Sequence, residues 1–142
     1  GGSGMGRPDL VAAADGDSVS ALCREAARAV QGFSVAHLGI NAADPSAASE
    51  AAALFSRFGL APKEGASSIF CGTPVEVMKS PFRGTAGHIG FSCWNVERSL
   101  AYLAKFGFAS VPETEKRVDG RLTVAYLDRE IAGFACHLVR AN

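Results

Sequence analysis

The chain has 142 residues, with Lys plus Arg equal to Asp plus Glu at 14 each and a formal net charge of +0. Such balance excludes a global field that would recruit nucleic acid or an anionic membrane, and no apolar run approaches the roughly 18 residues of a membrane span. Apolar residues make up 48% and charged residues 20%, the balance of one globular domain with a real core. The opening Gly1-Gly2-Ser3-Gly4-Met5-Gly6-Arg7 lacks the hydrophobic segment of a secretory signal. Cys23, Cys71, Cys93 and Cys136 are scattered with no Cys-x-x-Cys pair. They read as reduced, small core residues of a cytoplasmic protein, without a zinc ribbon or disulfide framework.

In chain order, a Gly-rich lead precedes a helix. Asp15 or Asp17 can cap it, and Val19, Leu22, Cys23, Ala26 and Val30 recur at helical spacing until Gly32. From Phe33 the period becomes two. Ala36, Leu38 and Ile40 face one side of a strand, and Val35, His37, Gly39 and Asn41 the other. Asp44-Pro45-Ser46 starts a helix that runs to about Phe58, with Leu54, Phe55 and Phe58 as its apolar stripe. Residues 67–71 and 75–79 form short strands joined at Gly72-Thr73-Pro74. The order then repeats. Residues 87–93 form a strand, 95–106 a helix with Val96, Leu100, Leu103 and Phe106 on one side, and 121–127 and 133–140 the closing strands. Asp119-Gly120 is a turn joining them to a short strand near Phe108 to Val111. Two strand-helix-strand-strand-strand copies follow, about 33–80 and 86–140, after a lead and helix over 1–32.

The histidines fall at related positions. His37-Leu38-Gly39-Ile40 and His88-Ile89-Gly90-Phe91 share the pattern His-apolar-Gly-apolar, and Ala135-Cys136-His137-Leu138-Val139 resembles Pro74-Val75-Glu76-Val77-Met78. Each copy thus offers one ligand-type side chain on its first strand and another on its last. Alternation sends Leu38, Ile89, Val75, Val77 and Leu138 beneath the helices and His37, Glu76, His88 and His137 to the opposite face, beside Gly39, Gly90 and Ala135. Three imidazoles and a carboxylate suit Fe, Mn, Ni, Co or Zn as divalent ions better than Mg or Ca. A lone strand histidine is usually a hydrogen-bonded structural residue; the paired placement of all three favours a metal site. Lys79 and Arg83 flank Ser80-Pro81-Phe82 and are candidates for holding a substrate carboxylate or phosphate, although such a pair is more often a solvated turn. Phe70, Phe82, Trp94 and Tyr126 can line an apolar pocket mouth.

These segments resemble the vicinal oxygen chelate superfamily of glyoxalase I, extradiol dioxygenases, fosfomycin-resistance proteins and bleomycin-binding proteins. The first-strand pattern is His37-Leu38-Gly39-Ile40-Asn41-Ala42-Ala43-Asp44, the second copy opens with Gly87-His88-Ile89, and Glu76 matches the fourth-strand carboxylate. The last ligand of the family, usually Glu, falls on His137 after Gly133-Phe134. That departure removes the residue that often serves as base. The resemblance implies an α+β fold: two tandem βαβββ modules forming a cupped mixed sheet, helices on its outer face, and one N-terminal helix in front. It also implies a homodimer and a metal held by His37, Glu76, His88 and His137 in some combination of three or four; Glu76 and His137 are the candidate catalytic groups, and Lys79, Arg83, Phe70 and Tyr126, read from the residues themselves, are the candidate substrate contacts.

The front, Gly1-Gly2-Ser3-Gly4-Met5 with Asp9-Leu10-Val11 and Ala21-Leu22-Cys23-Arg24-Glu25-Ala26, looks like the tail of 2-keto-3-deoxy-6-phosphogluconate / 4-hydroxy-2-oxoglutarate aldolases. Some of these carry a C-terminal domain similar to residues 76–89. No barrel fits before residue 33, so the chain is not itself that aldolase. The expected function is a metal-dependent lyase, isomerase or dioxygenase of the vicinal oxygen chelate type. Its substrate is expected to be a small 2-oxo or 2-hydroxy acid, bound through adjacent oxygens. The alternatives are a non-catalytic ligand-binding or accessory domain partnered with a sugar-acid aldolase and, with less support, a drug-binding resistance protein.

Overall fold

A computed structural model describes residues 8–142, with side chains of the first helix from Gly16 onward. Among the described residues there are three α-helices, α1 Pro8–Ala29, α2 Pro45–Ser56 and α3 Val96–Ala104, and eight strands. The strands are β1 Ser34–Asn41, β2 Pro62–Glu64, β3 Ser68–Cys71, β4 Val75–Met78, β5 Gly87–Cys93, β6 Lys116–Val118, β7 Arg121–Ile131 and β8 Phe134–Arg140. They form one open mixed sheet in the order β2-β3-β4-β1-β5-β8-β7-β6. The β1–β4 and β5–β8 pairs are parallel and the β1–β5 pair at the centre is antiparallel. The chain is α+β. No helix among the described residues is long and apolar enough to cross a membrane.

α1 begins earlier than a cap at Asp15 or Asp17 predicts. It starts at Pro8, whose missing N–H costs nothing in a first turn, and runs through the helix-favouring Ala12-Ala13-Ala14. It stops before Gly32, whose φ of +66° suits glycine and where a Cβ would overlap the Trp94 indole. Gln31 ties this end to α3: its Nε2 donates to the Ala27 carbonyl (2.9 Å), its Oε1 accepts from the Ser99 hydroxyl (2.9 Å), and its carbonyl accepts from the Trp94 amide (3.1 Å). Val19, Leu22 and Val30 of the predicted stripe are exposed, and so is Cys23, while Cys71, Cys93 and Cys136 are buried.

α2 is capped by Asp44, whose Oδ1 accepts from the Ala47 amide (2.8 Å). Its buried face corrects the expected stripe. Ala48 and Ala52 pack on Ile69, Cys71 and Val77, with Ala51 and Phe55 beside them, whereas Leu54 and Phe58 are 68% and 81% exposed. Small residues at i and i+4 let the helix lie close to the sheet, which turns the larger side chains outward. α3, capped by Asn95 through the Arg98 amide (2.8 Å), buries Val96 against Cys93, Leu122, Ala125 and Leu138, with Leu100 and Leu103 alongside. Phe106 lies past its end and is exposed.

Two strand assignments change. Residues 108–111 make only an isolated bridge, Ser110 to Leu127; Pro112–Thr114 is a 3-10 turn, and the strand entering the Asp119-Gly120 turn is β6. Both turn residues have positive φ, as a tight hairpin requires. β2, which no alternation in the sequence marks, is an exposed edge strand of Pro, Lys and Glu pairing with β3.

Candidate metal centre

The four central strands, β4, β1, β5 and β8, carry Glu76, His37, His88 and His137. The sheet register sets them in two cross-strand rows, Glu76–Gly39–His88 and His37–Gly90–His137. Each row thus has a glycine between two functional side chains, and the side chains lean over it. A Cβ on Gly39 would sit inside the His88 ring. One on Gly90 would lie 2.5 Å from His37 Cε1 and 2.6 Å from His137 Nε2, closer than real Cβ atoms approach. The space that the glycines leave above the sheet is therefore filled by the imidazoles themselves.

The three histidines lie close enough to hold one metal ion, their donor atoms all within 4.8 Å of one another. His37 Nε2 is 3.1 Å from His137 Nε2 and 3.7 Å from Glu76 Oε1, and His88 Nε2 is 3.0 Å from the same Glu76 oxygen. Nitrogen donors about 2.0–2.1 Å from a common ion stand roughly 2.8–3.4 Å apart between square and tetrahedral angles, so the His37–His137 spacing of 3.1 Å fits a shared ion. The second Glu76 oxygen accepts from the Ser68 hydroxyl (2.7 Å), which leaves Oε1 toward the imidazoles. The Nδ1 atoms of His88 and His137 are buried with no hydrogen-bond partner among the described residues. Packing orients these rings instead: Tyr126 stacks on His137 with centroids 4.5 Å apart, and His88 sits in the slot over Gly39.

Electrostatics prepares the donors. Burial, followed by the charges of His37 and His88, pushes the His137 pKa down to about 3, and burial also lowers His37. For Glu76, burial raises the pKa, but hydrogen bonds from His88 and Ser68 and the charges of His88 and His37 outweigh it, for a net lowering. At neutral pH the centre thus presents neutral His37 and His137 imidazoles beside an ionised carboxylate, the states in which these groups bind metal. Tyr126, raised to about 12 by burial and then by Glu76, keeps its phenolic proton.

A cavity of about 740 Å³ opens over the centre, lined by all four of these residues and by Phe70, Phe82, Arg83 and Tyr126. Phe70 sets its ring edge-on to His37 at 5.8 Å, and the Arg83 guanidinium lies over the Tyr126 ring, 5.5 Å from its centroid. The structure does not bring Lys79 into this group. Its Nζ pairs with Glu64 (2.6 Å) and donates to the Gly65 carbonyl (2.7 Å), and it is absent from the cavity wall. Trp94, on the far side of Gly32, is likewise outside. Ser68 and the rim residues Glu113 to Lys116 had no signal in the sequence: a serine at a strand start and a polar loop look like solvated surface.

The chain matches no protein-family model and no curated protein.

Proposed function

We propose that the chain is a divalent-transition-metal protein of the vicinal oxygen chelate type, with the metal held by His37, Glu76, His88 and His137 in some combination of three or four. Its substrate is a small 2-oxo or 2-hydroxy acid, bound through adjacent oxygens for lyase- or isomerase-type chemistry. The observation that carries the reading is the convergence of three imidazole nitrogens and one carboxylate oxygen from four adjacent strands over two glycines. The strand order, symmetric about β1 and β5, supports reading the sheet as two tandem βαβββ modules that cup the site, with α2 and α3 on the outer face.

Held by these residues, a divalent ion would supply Lewis-acid polarisation of a carbonyl and offset negative charge developing beside it. Where the three histidines hold the ion, Glu76, ionised and oriented by Ser68, is the group able to take a proton from a carbon next to the carbonyl. Where His37, Glu76 and His88 hold the ion, neutral His137, packed against Tyr126, is the second group able to move a proton. Phe70 and Phe82 wall the cavity with apolar surface and reduce the access of water.

Elemental analysis of untagged protein prepared without chelators tests this reading. A single transition-metal ion per chain, lost in His37→Ala and His88→Ala, is expected. A wild-type chain that takes up none of Fe(II), Mn(II), Ni(II), Co(II) or Zn(II) overturns it. The second reading, a non-catalytic accessory domain of a sugar-acid aldolase, draws on the exposed apolar positions Val19, Leu22 and Val30 of α1. It predicts ligand binding without turnover.

A further inference from the structure

The segment between β4 and β5 passes the mouth of the cavity and is held by one side chain of β1. Asn41 Oδ1 accepts from the Phe82 amide and Asn41 Nδ2 donates to the Gly84 carbonyl, both at 3.1 Å. Arg83 lies between the two clamped residues. Gly84 has φ +92°, so the turn after Arg83 needs glycine. The position of Arg83 is therefore built into the fold.

What its charge is for is not answered within the chain. Among the described residues Arg83 makes no ion pair. Arg83 also lines a smaller neighbouring cavity with Asp128 and Glu130, and the carboxylates around the two cavities are engaged elsewhere: Asp128 with the Ala109 amide, Glu130 with the Thr85 amide and hydroxyl, Glu115 with Ser110 and Arg117, and Glu76 with Ser68 and His88. Exposed Glu113 forms no ion pair with it either. The Tyr126 ring neighbours both ends of the cavity, its centroid 5.5 Å from the Arg83 guanidinium carbon and 4.5 Å from the His137 ring centroid. An aromatic face against a guanidinium leaves N–H groups for oxygen acceptors, and the planar fork matches a carboxylate in two parallel hydrogen bonds.

We propose that Arg83, clamped by Asn41 and backed by Tyr126, binds a second carboxylate at the distal end of the substrate, so that the substrate is a short dicarboxylic 2-oxo or 2-hydroxy acid. This rests on the metal-centre reading for the chelated end: if one acid group and its neighbouring oxygen lie at the histidines, the carboxylate at Arg83 is a different one, a short carbon chain away. With a formal net charge of +0, the protein offers no global attraction for a dianion, so any preference for one is local.

The test compares 2-oxoglutarate with 2-oxopentanoate, which has the same chain length and lacks the distal carboxylate, by calorimetry on Zn(II)-loaded protein. Wild type binds 2-oxoglutarate about tenfold tighter or more, the equivalent of roughly 1.4 kcal/mol from one charge-assisted contact. The preference disappears in Arg83→Ala, is mostly lost in Arg83→Lys, which keeps the charge without the fork, and persists in Arg57→Ala, which removes a charge from the end of α2. Equal affinities in wild type, or a preference that survives Arg83→Ala, overturn the proposal. Metal content is read separately. A wild type without metal defeats the metal-centre reading alone, and the same pair of acids on metal-free protein then decides the role of Arg83.

Discussion

Gly39 and Gly90 decide whether the centre exists, because each stands where a methyl group would displace an imidazole. Gly90→Ala is expected to cost about 1–3 kcal/mol from overpacking and to abolish metal uptake, read by denaturant titration and elemental analysis. Ser68 acts through Glu76. Ser68→Ala leaves the carboxylate free to turn, and metal affinity is expected to fall about 10–100-fold, measured by competition with a chelating dye. The buried histidines also set a pH dependence. Burial holds the His137 pKa at about 3 in the fold against the ordinary histidine value of 6.5, so between these values the unfolded chain binds more protons than the folded one. Stability therefore rises with pH across this window, is fully present above 6.5 and is lost as pH falls toward 3. Metal-free protein should show a melting temperature that drops from pH 7 to pH 4, and His137→Gln should flatten the slope.

At the level of elements, short-range chemistry explains the helix starts and tertiary packing explains which face is buried. Asp44 is an N-cap in both the sequence and the structure, and Asp44→Ala is expected to cost about 1 kcal/mol in thermal unfolding. The α2 stripe is different. Periodicity alone gives equal standing to Leu54 and Phe58, but the helix rests on Ala48 and Ala52. Ala48→Leu should therefore destabilise by about 1–3 kcal/mol while Leu54→Gln stays within about 0.5 kcal/mol; the reverse order would mean that α2 is rotated. The β6 position has a similar lesson. Turn chemistry at Asp119-Gly120 is local and was legible, whereas the choice of 116–118 over 108–111 as the partner of β7 depends on which residues the hairpin brings opposite Arg121 to Val124.

On the scale of the molecule, the candidate centre joins strands from distant parts of the chain. His37 and His137 stand 3.1 Å apart at their Nε2 atoms, so an ion bound by both would cross-link β1 and β8, the first and last of the described strands in chain order. Zn(II) at about 100 times its dissociation constant is expected to stabilise the fold by about 2.7 kcal/mol, seen as a raised melting temperature that His88→Ala lacks. The alternation that puts His37, His88 and His137 on one face, the glycines beside them and the helix caps are legible along the chain, because side-chain direction along a strand and capping chemistry are local properties. Only the folded sheet makes β4, β1, β5 and β8 neighbours, in a register that sets each glycine between two functional side chains. It also decided that Lys79 turns to Glu64 while Arg83 reaches the cavity. Those outcomes depend on pairing between residues far apart in the chain, and strand pairing is settled by the whole sheet and its packed helices, which no local pattern encodes.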